Sequence, residues 1–210
     1  MFNFSLMSIV AGLPGLIIAM VVHEYAHARV AVAFGDPTPK LMGRLTLNPV
    51  AHIDPIGLVM LLLVRFGWAK PVQINPMNFK PNQRRTADIM VSLAGPGANL
   101  ITAFLSLVVW LLLIKSGFGN SAGVYAVFQL IVIYNINFAI FNLIPLPPLD
   151  GSHVLKQLLP YEWQIKLASL ERYSFLILIV FIATPVLSII FIPAQQLIWS
   201  IFMAILAPFF

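Results

Sequence analysis

The chain has 210 residues, of which 60% are hydrophobic and 9% charged, with a formal net charge of +5 and no cysteine. Soluble domains carry about 25% charged residues, and a water-soluble fold of this length could not cover so apolar a surface, so the composition points to an integral membrane protein built as a single domain over 1–210. Disulfides and thiolate metal sites are excluded, and no nucleic-acid partner is expected, because the basic residues lie between apolar runs where membrane topology accounts for them.

The first apolar stretch covers about 6–34 and stops at Gly35-Asp36-Pro37, a clear helix terminator. It has no basic leader and no convincing small-residue cleavage site, so it reads as a retained span rather than a signal peptide. Segment 36–84 is polar and punctuated by Pro and Gly. Its pieces Arg44-Leu45-Thr46-Leu47 and Pro71-Val72-Gln73-Ile74 lean toward β structure, and a structureless connection of that length would be unusual, so β-hairpins are expected there. The apolar piece 56–66 is too short to span and is expected to be re-entrant or interfacial. Stretches at about 85–114, 123–143 and 173–192 meet the roughly 20-residue requirement for a crossing helix. A last one between Pro193 and Pro208 suffices only for a steep or partial span. The expected fold is all-α and polytopic, with about five membrane segments. These are a three-helix core, C-terminal helices over about 173–210, and a small β-hairpin or re-entrant region after the first span.

Lys40, Arg44, Arg65, Lys70, Lys80 and Arg84 lie in segment 36–84, and Lys156, Lys166 and Arg172 in 150–172, against Lys115 alone on the other side. This asymmetry puts both long connections in the cytoplasm and the N-terminus outside.

The chemistry is concentrated in the first stretch, at His23-Glu24-Tyr25-Ala26-His27. Histidines at i and i+4 share one helix face, where both imidazoles can reach one metal. Glu24 between them can take a proton from water, the division of labour in metal-assisted peptide hydrolysis. A lone His on an apolar span is more simply a packing residue. Two imidazoles and a carboxylate so close together are costly against lipid and must face an interior or a wet cavity; a metal satisfies all three. A tetrahedral catalytic zinc needs a third protein ligand and an open position. The remaining candidates are His52, His153, Asp36, Asp54, Asp88, Asp150, Glu162 and Glu171. Asp150 ends the proline-broken run that starts at Asn142 and passes through Pro145, Pro147 and Pro148. Non-helical backbone at membrane depth is tolerated where it lines a cavity. Spacing alone leaves two readings of Asp150 open, a third ligand or a helix N-cap.

The HEYAH run on the first span and Asn142…Leu149-Asp150-Gly151 on a later one together resemble the two separated motifs of the site-2 protease family of intramembrane zinc metalloproteases, over a catalytic core of about 7–155. The resemblance implies one Zn2+ per chain held by His23, His27 and Asp150, with Glu24 as the base. It also implies that Asn142 orients the peptide or stabilises the oxyanion. The activity implied is that of a metalloendopeptidase hydrolysing peptide bonds in or near transmembrane segments of membrane-protein substrates. The implied setting is the lipid bilayer of a cell (plasma) membrane, with the site opening toward the cytoplasm. Gly95-Pro96-Gly97-Ala98-Asn99 resembles the family's Gly-Pro-x-x-Asn signature; its glycines are expected to serve close helix packing, and Asn99 could contact substrate. His52 is more simply a loop residue, although it could contact water or an entering substrate. Gly43-Arg44-Leu45-Thr46-Leu47-Asn48-Pro49 resembles the compact, short-loop members, and no PDZ or CBS-type module is expected. At 1.5 Å per residue, His27 and His23 lie roughly 12 and 18 Å along the helix from Gly35, below the membrane surface in the cytoplasmic half. An edge strand from 70–80 is expected to capture an unwound substrate by strand addition. A metal or proton transporter, or a non-proteolytic membrane binding protein, would also use a buried polar cluster, but neither needs Glu24 as a base. The oligomeric state is left open by the sequence.

Overall fold

The computed structural model describes residues 6–57 and 69–210. Its helices are α1 (Leu6–Ala33), the short α2 (Thr38–Leu41), α3 (Arg84–Lys115), α4 (Ala122–Leu143), α5 (Asp150–Leu158), α6 (Tyr161–Leu170), α7 (Ser174–Ala183) and α8 (Val186–Leu206). Among the described residues, four helical segments are long and apolar enough to cross a membrane: Val10–Ala33, Pro81–Lys115, Ala122–Leu143 and Val186–Leu206.

Lipid gives helices no hydrophobic reason to associate, so packing rests on close approach and interhelical hydrogen bonds. Here α1, α3 and α4 pack together, with Ala19, Ala28, Ala31, Ala87, Ala103 and Ala139 wholly buried. Small side chains at these positions let the backbones approach. Helix α8 closes against α3 and α4 through Phe202 and Leu206, which meet Leu107, Trp110, Val132 and Ile136. At 32 residues α3 is about 48 Å long, more than the roughly 30 Å of a hydrocarbon core, and its first turns carry the charged Arg84, Arg85 and Asp88.

Two expectations differ from what is observed. The stretch 173–192 is not one span. Helix α7 ends after ten residues at Ala183, Thr184 is extended with ψ 158°, and the helix restarts at Val186. Pro185 lacks the amide hydrogen and disfavours a helical Thr184, which favours a break here, although Pro14, Pro96 and Pro193 are accommodated inside α1, α3 and α8. The final apolar stretch, expected to span only in part, is absorbed into the 21-residue α8.

The β-hairpins expected in 36–84 are also absent among the described residues, where a single antiparallel bridge joins Ile53 to Ala69. Prolines at 49, 71, 76 and 81 remove ladder donors. Beyond that bridge, whose bond runs from Lys70 N–H to the His52 carbonyl, the next amides go to side chains: Val72 N–H donates to Glu24 and Asn75 N–H to Asp36. The expected re-entrant piece 56–66 lies, from residue 58 onward, outside the described residues.

A buried carboxylate organises this connection. Asp36 accepts from the Thr38 amide (3.1 Å) and hydroxyl (2.6 Å), the Asn78 side-chain amide (2.7 Å) and the Asn75 N–H (2.7 Å). Burial pushes the Asp36 carboxyl up, but the bonds from Asn78, Thr38 and Asn75 outweigh it and hold its pKa below the ordinary carboxylate value.

Candidate metal centre and its cavity

His23 and His27 are buried on one face of α1. Asp150 reaches them because 144–149 is non-helical and α5 starts back over the end of α4. A Cβ at Gly151 would lie 2.3 Å from the Leu143 carbonyl oxygen and 2.7 Å from that of Ile144, so only glycine permits the return. His23 Nε2 and His27 Nε2 lie 3.2 and 3.3 Å from Asp150 Oδ2, and 3.0 Å from each other.

The other ring nitrogens are held by α3. His27 Nδ1 lies 2.7 Å from the Val91 carbonyl oxygen, and His23 Nδ1 lies 2.7 Å from Asn99 Oδ1. A carbonyl only accepts, so His27 carries a hydrogen on Nδ1 and, as a neutral ring, presents a lone pair at Nε2. That nitrogen converges with His23 Nε2 and with Asp150 Oδ2, a buried oxygen that has no hydrogen-bond partner. Acceptors packed this closely repel unless a cation lies between them. Zinc at roughly 2.0–2.2 Å from each donor would set tetrahedral ligands about 3.3–3.6 Å apart, close to the observed spacing. The three residues therefore fit the ion.

Gly95 proves to do more than helix packing. A Cβ there would sit 2.5 Å from His27 Nε2 and 2.6 Å from His23 Cε1, so the space of the missing side chain is where the two rings stand.

A cavity of about 920 Å³ opens onto this cluster and is also lined by Glu24, Val72, Ile74 and Asn142. Glu24 Oε2 accepts from the Val72 N–H at 2.9 Å, fixing the carboxylate beside the three donors. Asn142 donates one amide hydrogen to the Phe138 carbonyl at 3.0 Å, which leaves the second free to serve the cavity.

Two residues expected to meet substrate are found elsewhere. Asn99 is fully buried behind His23 and does not line the cavity. His52 is also fully buried and holds its own loop, Nε2 lying 2.8 Å from the Thr46 carbonyl oxygen. Each is drawn away from the cavity by a nearer partner. Three of the other candidate acids are engaged elsewhere: Asp54 caps the Ile56 and Gly57 amides, Asp88 accepts from Gln157 at 2.6 Å, and Glu171 pairs with Lys156 at 2.9 Å. His153 lies on the cavity wall but remains exposed. Sequence reasoning missed Asn135, which is wholly buried on α4 and bonded to Asn99 at 3.0 Å. The available signal was weak, because Asn135 shares its mainly apolar span with Gln129, Asn137 and Asn142.

Comparison with known proteins gives the following. The profile described as Peptidase family M50 matches residues 114–185, which take in Asp150 but not HEYAH. The provisionally named zinc metalloprotease YwhC of Bacillus subtilis is 39% identical over 203 residues, covering 92% of this chain and 91% of its own. The provisionally named zinc metalloproteases Rip2 of Mycolicibacterium smegmatis and Mycobacterium tuberculosis are 33% and 32% identical, covering 84% of this chain and 68% of theirs. No solved structure matches the chain.

Proposed function

The chain belongs to peptidase family M50, the site-2 proteases, and from that premise we propose that it is a zinc endopeptidase that cleaves membrane proteins in or near their transmembrane segments. The observation that carries the reading is the meeting of His23, His27 and Asp150 beside Glu24 on one cavity wall. His23 Nε2, His27 Nε2 and Asp150 Oδ2 would hold the ion. When bound, zinc supplies Lewis-acid polarisation of the scissile carbonyl and makes water acidic enough to deprotonate near neutral pH.

The chain's own groups do the rest. Glu24 accepts the proton of the attacking water and returns it to the leaving amine. Asn142 directs its second amide hydrogen at the developing oxyanion. A helical substrate hides its amides in intrahelical bonds, so it must unwind before its backbone reaches Glu24. The extended piece 71–75 is suited to hold the unwound peptide through Gln73 and Ile74, since the amides of Val72 and Asn75 are engaged by Glu24 and Asp36. The positive charge of both long connections supports a cytoplasmic mouth in a cell membrane and an external N-terminus.

The test is zinc content of the purified chain together with cleavage of a panel of single-span substrates, with Glu24→Gln for comparison. Zinc in both and cleavage in the wild type alone is expected. Equal cleavage by both ends the protease reading, and metal flux into liposomes that survives Glu24→Gln would point to transport instead.

A further inference from the structure

Behind the His23 ring, a chain of buried amides crosses from α1 through α3 to α4. Asn99 and Asn135 both have no exposed surface. We propose that Asn135 is a positioning residue which, through Asn99, decides which nitrogen of His23 carries the hydrogen and so which one faces the metal. The proposal rests on the zinc-protease reading and concerns how the metal site is set.

The orientation of each group follows from the one before it. The Asn135 side chain lies 2.8 Å from the Ile131 carbonyl oxygen, one turn back on α4. That oxygen can only accept, so Asn135 must turn its NH2 toward it and its Oδ1 toward Asn99. Asn99 meets Asn135 Oδ1 at 3.0 Å and the Ala19 carbonyl oxygen at 2.9 Å. Both are acceptors, so both hydrogens of the Asn99 amide are used and its Oδ1 is left facing His23 Nδ1 at 2.7 Å. An amide oxygen accepts only, hence His23 Nδ1 is the donor and Nε2 holds the lone pair. His27 reaches the same state in one step, from the Val91 carbonyl. His23 has no backbone carbonyl at its Nδ1, and the two asparagines relay the instruction from the carbonyls of Ile131 and Ala19. Without Asn135, the Ala19 carbonyl alone orients the Asn99 amide and one of its buried hydrogens is stranded. A flip that offers NH2 to His23 Nδ1 then sacrifices one acceptor contact instead of two, and the tautomer with its hydrogen on the metal-facing nitrogen gains population.

A purely structural role is the competing explanation, since an asparagine in a span also serves as polar glue between helices. The test therefore reads the metal and the ring, not only activity, on the full chain in lipid nanodiscs with Zn2+ itself as the probe. Zinc affinity is measured by chelator competition for the wild type, Asn135→Leu and Asn135→Asp. In parallel, 15N-imidazole NMR of the zinc-loaded wild type locates metal and hydrogen on His23. The expected result is metal on Nε2 and hydrogen on Nδ1. Asn135→Leu is expected to weaken zinc binding by about tenfold, the lower end of the roughly 10–100-fold that outer partners of metal ligands command. Asn135→Asp keeps an oxygen for Asn99 and is expected to recover most of that loss. Wild-type zinc affinity in Asn135→Leu overturns the proposal, as does a lowered melting temperature with affinity unmoved. Metal on Nδ1 of His23 overturns it as well, and that measurement needs no variant to fold. An Asn135→Asp variant as weak as Asn135→Leu would overturn it too. A wild type that binds no zinc would instead remove the metalloprotease reading beneath it.

Discussion

Asp36 and Asp150 are both carboxylates drawn away from water near a helix end, and their surroundings are opposite. Asp36 takes hydrogen bonds from Thr38, Asn75 and Asn78, so each of its oxygens is satisfied within the connection that follows α1. Asp150 points Oδ2 at two imidazole nitrogens and receives no hydrogen there. A buried carboxylate with all its donors in place is a structural element, because the protein itself has replaced its water. One lacking donors, and facing other acceptors, is stable only with a cation. The amino acid is the same, so its role is decided by which partners the fold supplies.

The largest effect expected around Asp150 is on turnover. Glu24→Gln should lower cleavage by about 10²–10⁴-fold, the span typical of a lost general base, with zinc still bound. Zinc lost together with cleavage would show that Glu24 holds the site together and does more than move a proton. Next in size, Asp150→Asn should weaken zinc binding by more than the roughly 10–100-fold of an outer partner, whereas Asp36→Asn should leave it unchanged. Equal zinc affinities in these two variants would erase the distinction between the carboxylates.

Gly95→Ala sharpens the same side of the comparison. Its methyl would stand where the His27 and His23 rings now meet, and both rings are tethered at Nδ1. Zinc affinity should fall by about 10–100-fold, measured by chelator competition, with helix content by circular dichroism unchanged.

The effects at Asp36 are smaller and concern stability. Asp36→Ala strands the donors of Thr38, Asn75 and Asn78 and should cost about 1–3 kcal/mol, read as faster hydrogen exchange across 69–79. The pH dependence has a definite sign. The folded pKa of Asp36 is depressed, so its contribution is fully present above the unfolded value of about 3.9 and is lost as pH falls through the folded value. Exchange in 69–79 should accelerate on acidification below that point in the wild type and much less in Asp36→Asn. Equal acid sensitivity would assign the change to another carboxylate.

Local features were legible in the sequence and long-range ones were not. The composition sufficed for a membrane protein, and the apolar stretches at about 6–34, 85–114 and 123–143 correspond to long helices, whereas the fourth long helix joins parts of two stretches. The i, i+4 spacing of His23 and His27 was enough to place both rings on one side of α1, because a helix of 3.6 residues per turn sets neighbours four apart within a single element. The break at Thr184-Pro185 was not marked by its proline alone, because Pro14, Pro96 and Pro193 are accommodated inside α1, α3 and α8. The β-leaning piece 71–75 did not extend the Ile53–Ala69 bridge into a strand because the amides of Val72 and Asn75 are taken by the carboxylates of Glu24 and Asp36.

What the sequence determined alone is the membrane setting and the two imidazoles on one helix face with Glu24 between them in sequence, since all of it follows from composition and one helical period. Tertiary structure decided that Asp150 returns to them, that Gly95 is the space they occupy, and that Asn99 and His52 turn away from the cavity. It also supplied the carbonyls of Val91, Ile131 and Ala19 on which the proposed tautomers rest. Every residue carries the same carbonyl, so no sequence pattern marks the few that orient a histidine; only the packing of α1 against α3 and α4 selects them.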